Sequence, residues 1–322
     1  MGIQASPEIK FDMIQQAISN DNNLLSISLL CKMAGVSRSG FYAWIEHEDN
    51  RRFREEQDRI DFDKVLEAFR YRYAKGAKGI YMHLLRKKHI RMNLKKIRRL
   101  MNKFGLQCPI RRLNPYREMA RALKTSKVAT NLVNRHFFDY GPRKILLTDI
   151  TYLFYKDTCC YLSTVLDACT REILAFKISE NLRVDFVLET VNQLIEKHGC
   201  ELDDTVYVHS DQGCHYTSKA FIEKLKEEKF IQSMSRKGNC WDNAPQESFF
   251  GHMKDEIKYI ISKCRCFDEV RYIVSDWMQY YNNERYQWDL LKLAPREYYE
   301  YCNTGQYPVD EYKRPNKNQL TN

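Results

Sequence analysis

No two of the eleven cysteines in this 322-residue chain have the C-x-x-C spacing. The only close neighbours are Cys159-Cys160 and Cys264-x-Cys266, so the paired ligands of a zinc finger are missing. An odd number of cysteines also fits no closed disulfide framework, and reduced, mostly buried thiols are expected. Cys240, beside the loop that leads to Glu247, is the one whose oxidation is expected to inactivate the protein. No stretch approaches eighteen apolar residues, mean hydropathy is −0.60, and residues 1–13 contain no apolar signal segment. A membrane span is thereby excluded, and a cytoplasmic protein is expected. Sustained heptads are missing too, which excludes a long coiled coil. The 43% of apolar residues is enough to bury a core.

Acids are almost absent from one region. Between positions 70 and 135 there are twenty Lys and Arg and one acid, Glu118. Residues 1–135 carry 28 basic and 13 acidic side chains, the remainder 24 and 29, so the net charge of +10 is concentrated at the front. A solvated surface normally intersperses acids among its bases. A block this one-sided predicts a polyanionic partner.

Within that front part, residues 7–20 and 26–35 read as two helices, the second closed by Gly35. Ser37 is placed to cap a third, with Phe41, Trp44 and Ile45 as its buried stripe. This is a helix-turn-helix pattern that would turn Arg38 and Ser39 toward a DNA major groove; a small bundle contacting protein is the competing reading. Residues 47–63 read as a helical connector and 65–104 as a second helical unit. In its last helix Ile97, Leu100, Met101 and Phe104 form the apolar stripe. Lys95, Lys96, Arg98, Arg99 and Lys103 cover the other faces and are candidate DNA contacts.

Chemistry concentrates further on. Asp149 lies in KILLTDITYLFY, Asp211 in VYVHSDQGCHYTS, and Glu247 in GNCWDNAPQESFFGHMKDE, with thirty-five residues between Asp211 and Glu247. These segments read as a strand, a strand end and a helix, which can bring three carboxylates together. At about 4 Å such groups repel by roughly 4 kcal/mol per pair at an effective dielectric near 20, so they recruit cations. Hard oxygen donors suit magnesium, with manganese as substitute. Asn243 as N-cap, Pro245 in the first turn and Gln246 as capping-box partner start the helix just before Glu247. Lys254 then falls on the face of Glu247, about 10 Å along the axis, where it can grip a phosphate. Each acid alone also fits an ordinary first-turn or strand-end carboxylate; their combination in this pattern does not. His209 is either a support behind the acids or a buried strand residue. Asn239 and Asn243 either position the Glu247 loop or DNA, or simply form turn and cap.

The segments around the acids read as three β-rich runs (144–155, 159–168, 171–179) joined by short turns. They are followed by helix 184–198, strand 205–210, helix 218–229, strand 231–235, helix 243–261 and helix 267–283.

Thr148-Asp149-Ile150-Thr151-Tyr152, His209-Ser210-Asp211-Gln212-Gly213, the run from Ser235 through Glu247 to Phe250, Lys254, and Tyr281-Asn282 through Arg285 to Leu290 and Pro295 carry a likeness. Together they resemble the DDE transposases of bacterial insertion sequences, specifically the second-reading-frame product of the insertion-sequence-three group. The likeness runs over residues 24–299. It implies a fold of N-terminal helix-turn-helix domains followed by a ribonuclease-H-like core shared with retroviral integrases, a mixed five-stranded sheet flanked by helices. On that reading residues 1–55 and 56–106 are two helical DNA-binding domains, 107–134 a basic linker, 135–300 the catalytic core and 301–322 a tail.

The resemblance also implies an activity: metal-dependent cleavage at insertion-sequence ends and transfer of the new 3′-hydroxyl to another phosphodiester. Asp149 would bridge two Mg²⁺ ions, with Asp211 and Glu247 each securing one. The implied partners are double-stranded DNA of the terminal repeats and of the target, further copies of the chain in a synaptic complex, and an upstream-frame protein with its own helix-turn-helix and leucine zipper. A nuclease without strand transfer and a catalytically silent DNA-binding regulator are the alternatives. Two departures stand out. Gly76-Ala77-Lys78-Gly79-Ile80 replaces a Gly-aromatic-Arg-Arg-Ile run, which leaves phosphate contact by Lys75 and Lys78, and His215 stands where relatives often carry Gln.

Overall fold

The structure, a computed structural model, describes residues 5–20, 23–109, 140–203, 205–235 and 244–308. The expectations for Asn239, Cys240, Asn243, most of the basic linker and the end of the tail lie outside these residues. The chain divides into two compact units, Met1–Ala68 with Met92–Gln107, and Phe69–Arg91 with Cys108–Asn322. No described helix is long and apolar enough to cross a membrane.

The first unit begins with α1 (Pro7–Ile18), α2 (Ile27–Ala34) and α3 (Arg38–Glu46). Local chemistry sets their ends. Ser26 Oγ accepts the Leu29 N–H, Ser37 Oγ accepts the Gly40 N–H, and Gly35 closes α2 at φ +65°. Ile14, Cys31 and Phe41 are buried together, with the Phe11 and Trp44 rings packed around Phe41. A Cβ at Gly40 would lie 2.8 Å from Ser37 Oγ and 3.2 Å from Phe11, so the tight start of α3 admits only glycine without a shift. The connector expected at 47–63 is not a separate element. It is the front of a single 23-residue helix, α4 (Glu48–Arg70). Asp58 and Asp61 of α4 are buried and face α6 (Leu94–Lys103), whose apolar stripe of Ile97, Leu100 and Met101 is buried as its spacing predicts.

The second unit is built on a five-stranded sheet in the order β3-β2-β1-β4-β5. β1 (Ile145–Tyr155), β2 (Thr158–Asp167) and β3 (Ile173–Ser179) form the antiparallel meander; β4 (Tyr207–Ser210) and β5 (Ile231–Met234) run parallel to β1. Helices α7 (Val184–His198) and α8 (Lys219–Glu227) make the crossovers, and α9 (Ala244–Ile261), α10 (Phe267–Asn283) and α11 (Pro295–Thr304) follow. This is the ribonuclease-H-like arrangement. Strand alternation sorts the side chains into two layers. Ile145, Leu147, Leu153 and Tyr155 pack against Phe249, Phe250, Met253, Ile257 and Trp277 of α9 and α10. Leu146, Val165 and Leu174 pack on the other face against Phe186, Val187, Val191 and Leu194 of α7 and Phe221 of α8. Residues 69–91, including α5 (Ala77–Lys87), join this unit. Tyr71 donates to Glu284 at 2.6 Å, Arg72 to Asp276 at 2.5 Å, and Arg86 pairs with Glu297. The tail expected from residue 301 starts later, because α11 continues to Thr304 and Gly305 ends it at φ +68°.

A buried cation ties the sheet's near end together. Arg143, itself left-handed at φ +66°, donates its N–H and a guanidinium N–H to Asp167 at 3.1 Å each. The same guanidinium reaches Glu172 at 2.7 Å and Glu201 at 3.0 Å, and stacks 3.8 Å from the Tyr299 ring centroid. Burial pushes the Asp167 carboxyl up, while Arg143 works against that shift. Nothing in the sequence marked this residue. Arg143→Ala would leave Asp167 and Glu172 buried beside an empty guanidinium site, a loss of about 3–5 kcal/mol for a broken buried pair. Urea denaturation should show it as a lower midpoint at an unchanged slope; a loss below about 1 kcal/mol would contradict the reading.

Candidate active site

The parallel register of β1 and β4 pairs Ile145 with Tyr207, Leu146 with Val208 and Leu147 with His209. Continued by two residues, it sets Asp149 beside Asp211, which follows the last residue of β4. Asp211 Oδ1 accepts the Gly213 N–H at 2.9 Å, and a Cβ at Gly213 would stand 2.9 Å from that same oxygen. The glycine therefore lets the chain fold back on the carboxylate. Asp149 Oδ1 accepts the Ile150 N–H at 2.8 Å.

Glu247 arrives from the other direction, in the first turn of α9. Odd-numbered residues of β1 face α9, so alternation turns Asp149 toward this helix. Thr164 stands opposite Asp149 in the β1–β2 register, and Gln246, fully buried, donates its amide N–H to Thr164 Oγ1. That contact fixes the start of α9 over the strand position of Asp149. The capping box expected of Gln246 involves Asn243, outside the described residues, and the Gln246 amide is a clamp between helix and sheet. Thr164 went unnoticed because nothing in a β-rich run distinguishes the residue that will face a distant helix.

The electrostatics agree with this placement. Burial, with the charges of Asp211 and Glu247, pushes the Asp149 carboxyl up to about 7 against the pull of the Ile150 N–H and Lys254. Lys254 is half-buried, and its ammonium is shifted down by burial while Asp149 opposes the shift. Tyr216 lies beneath the site, its hydroxyl 3.4 Å from Thr148 Oγ1. Burial, helped by Asp149 and Asp211, raises its phenol well above the ordinary range. Among the described residues, no three His, Cys, Asp or Glu side chains are gathered tightly enough to hold a metal ion. The three acids share one electrostatic neighbourhood without closing to ligating distance, as mutually repelling carboxylates favour. As a donor set, oxygen throughout and short of positive charge, they fit a hard divalent cation.

The other anticipated residues fall into distinct places. His209 is buried, with Nδ1 2.9 Å from Ser233 Oγ and Nε2 3.0 Å from Ser235 Oγ, so both ring nitrogens tie β4 to β5 and its end. Arg38 and Ser39 are exposed at the start of α3, and Lys95 and Arg98 are exposed on α6. Lys96, Arg99 and Lys103 pair with acids of α4, Arg99 and Lys103 while still exposed. Lys96 pairs with Asp61, Arg99 grips both oxygens of Asp58 at 2.6 Å, and Lys103 bridges Glu55 and Asp58 at 2.6 and 2.8 Å. Hydrogen bonds from Arg99 and Lys103 hold the Asp58 carboxyl well below the usual carboxylate range. A helical wheel shows these bases as a solvent face; only the fold reveals acids beneath them.

Comparison with known proteins gives the same picture. Residues 139–240 and 229–290 match two family models, each described as an integrase core domain, and residues 55–113 match an HTH-like domain. The chain is 32% identical to the putative transposase InsK for insertion sequence element IS150 of Escherichia coli K12, over 64% of this chain and 71% of that one. It is 30% identical to transposase InsF for insertion sequence IS3A of the same organism, over 72% and 79%. Among solved structures, the HTLV-2 integrase catalytic core domain in complex with magnesium aligns with 49% of this chain and 97% of its own, at 13% identity and a TM-score of 0.39. The sheet order, the integrase-core and helix-turn-helix matches and these relatives together place the chain in the IS3 family of insertion-sequence transposases.

Proposed function

We propose that Asp149, Asp211 and Glu247 are the catalytic acids of this transposase and that they cut the ends of its element and join the freed 3′-hydroxyl to another phosphodiester. The observation that carries this reading is the convergence of three distant segments on one sheet position. The β1–β4 register brings Asp211 there, and the Gln246–Thr164 contact brings Glu247. Held by these carboxylates, two Mg²⁺ ions, with Mn²⁺ as substitute, would lower the pKa of the attacking water or hydroxyl and stabilise the leaving oxygen.

The chain's own residues do the rest. Asp149, which feels the charges of both Asp211 and Glu247, must be ionised to serve, so its raised carboxyl makes the site sensitive to proton concentration near neutrality. Lys254, two turns beyond Glu247 on the same face, holds a phosphate of the cut strand. Gln246 and Thr164 keep α9 in place while the acids take up load. Arg38, Ser39, Lys95 and Arg98 contact DNA outside the core, whereas Lys96, Arg99 and Lys103 mainly secure α6 to α4. The partners are the terminal repeats and a target duplex. Joining two ends calls for more than one copy of the chain, and an upstream-frame protein is a further partner. The cytoplasm is the setting this activity requires.

Asp149→Asn, Asp211→Asn and Glu247→Gln should each lower Mg²⁺-dependent cleavage of element-end DNA by roughly 10²–10⁴-fold, equivalent to several kcal/mol of lost transition-state stabilisation. DNA affinity, read by fluorescence anisotropy, should stay within about threefold. An acid whose variant cuts normally does not belong to the site. Lys254→Ala should slow end cleavage on the order of tenfold while leaving Mg²⁺ binding intact; an unaltered rate removes it from the strand path.

The Asp149 carboxyl, at about 7 in the folded chain against 3.8 ordinarily, takes up a proton on folding. Stability is therefore full at low pH and falls as pH rises from about 4 through about 7. Asp149→Asn removes that loss. Without metal, the variant should melt above the parent at about pH 8, and the two curves should converge toward about pH 4. Added Mg²⁺ at the higher pH should raise the melting temperature of the parent only. Coincident melting of the two metal-free proteins at about pH 8 would contradict the buried, charge-crowded placement of Asp149.

A further inference from the structure

A cavity of about 300 Å³ lies within the second unit, between residues 71–83 and the turn 284–289. His252 and Glu256 of α9 line it. At about 100° per residue these two positions fall on the opposite side of α9 from Glu247 and Lys254, so the cavity is separate from the acids. Its size is at the lower end of the range for small-ligand sites, room for a single nucleotide rather than a double helix.

The wall chemistry points to that class of ligand. Two of the acids lining it are matched internally. Glu256 accepts from Arg285 Nε and Trp277 Nε1 at 2.9 Å each, and Glu284 accepts from Tyr71 at 2.6 Å and pairs with Lys87 at 3.1 Å. The remaining acid, Asp289, is exposed and stands 3.8 Å from Arg171. Lys75, whose Nζ donates to the Tyr71 and Tyr73 carbonyls, Lys78, and Arg171, which also donates to Gln287 Oε1 at 3.1 Å, add positive charge to the lining beside Asp289. Gly79 makes room for one of them, since a Cβ there would be 2.9 Å from Lys75 Cβ. Burial pulls the Lys75 ammonium down to about 8, with Glu256 working against that shift.

Trp288 adds a flat surface at the same place. It is 36% exposed, with Lys78 Nζ 4.8 Å and Lys292 Nζ 5.2 Å from its ring and Tyr81 at 6.0 Å. Its turn is rigid. Gln287 and Leu293 pair through the backbone, Leu290 and Leu293 are fully buried, and Leu291 and Lys292 hold left-handed conformations that tighten the bend. An aromatic face among cations accepts any base through its π-surface while the cations take the phosphate.

We propose that this cavity receives one unstacked nucleotide of the DNA on which the transposase acts, its base against Trp288 and its phosphate at Lys78 and Arg171. The proposal rests on the strand-cutting and joining reading above, because those steps expose nucleotides without a pairing partner.

The test uses the full chain with two labelled duplexes of the same sequence, one blunt and one carrying a short single-stranded extension that contains 2-aminopurine. The extended duplex should bind on the order of tenfold more tightly, the effect of one base–aromatic stack, with its 2-aminopurine emission quenched. Trp288→Ala should abolish both the tenfold difference and the quenching at unchanged blunt-duplex affinity, and Trp288→Phe should restore most of them. Equal affinity of the parent for the two duplexes, or a difference that survives Trp288→Ala, overturns the proposal. So does Trp288-dependent binding of free deoxyadenosine monophosphate with no gain from the extension. Failure of the parent to bind either duplex would count instead against the transposase reading itself.

Discussion

Parallel pairing of β1 with β4 is the constraint on which the second unit depends. Where they pair, these two strands are packed on both faces, and their register cannot slip by one residue without moving every core side chain into the opposite layer. Leu146 and Leu147 belong to opposite layers, and both are fully buried. The packing that holds this register also sets Asp149, inside β1, beside Asp211, just past the end of β4, so core stability and acid geometry share one cause.

Charge is handled in two opposite ways within the same sheet. Around Arg143, three acids converge on one guanidinium, every contact is a hydrogen bond, and the group is sealed by Tyr299. Around Asp149, the charges of Asp211 and Glu247 add to burial, and the half-buried Lys254 and the Ile150 N–H work against them. The first arrangement is complete and serves the fold. The second is short of positive charge, which raises the Asp149 carboxyl and suits a cation-dependent reaction. The two clusters contain the same residue types, and their difference lies in what has been brought near them.

The basic front of the chain divides along similar lines. Lys96, Arg99 and Lys103 pair with Asp58, Asp61 and Glu55 inside the first unit, Arg99 and Lys103 while still exposed, and Lys95 and Arg98 are exposed as well. Lys75 and Lys78, in a short run that departs from the family pattern, line a cavity. A block of positive charge in sequence is thus three different things in space.

The amino-acid order by itself determined what depends on neighbours in the chain. Ser26, Ser37 and Gly35 end helices through bonds that span three or four residues, and period-two and helical apolar patterns mark the strands, the α6 stripe and the packed face of α9. The three acids were legible because their surrounding motifs are local too. Only the tertiary structure decided the pairings across long separations. Gln246 meets Thr164 across 82 positions, Arg99 meets Asp58 across 41, and Arg143 meets Glu201 across 58. No periodicity encodes such contacts, because they arise when separate layers close on one another and buried polar groups must find whatever partner that closure supplies.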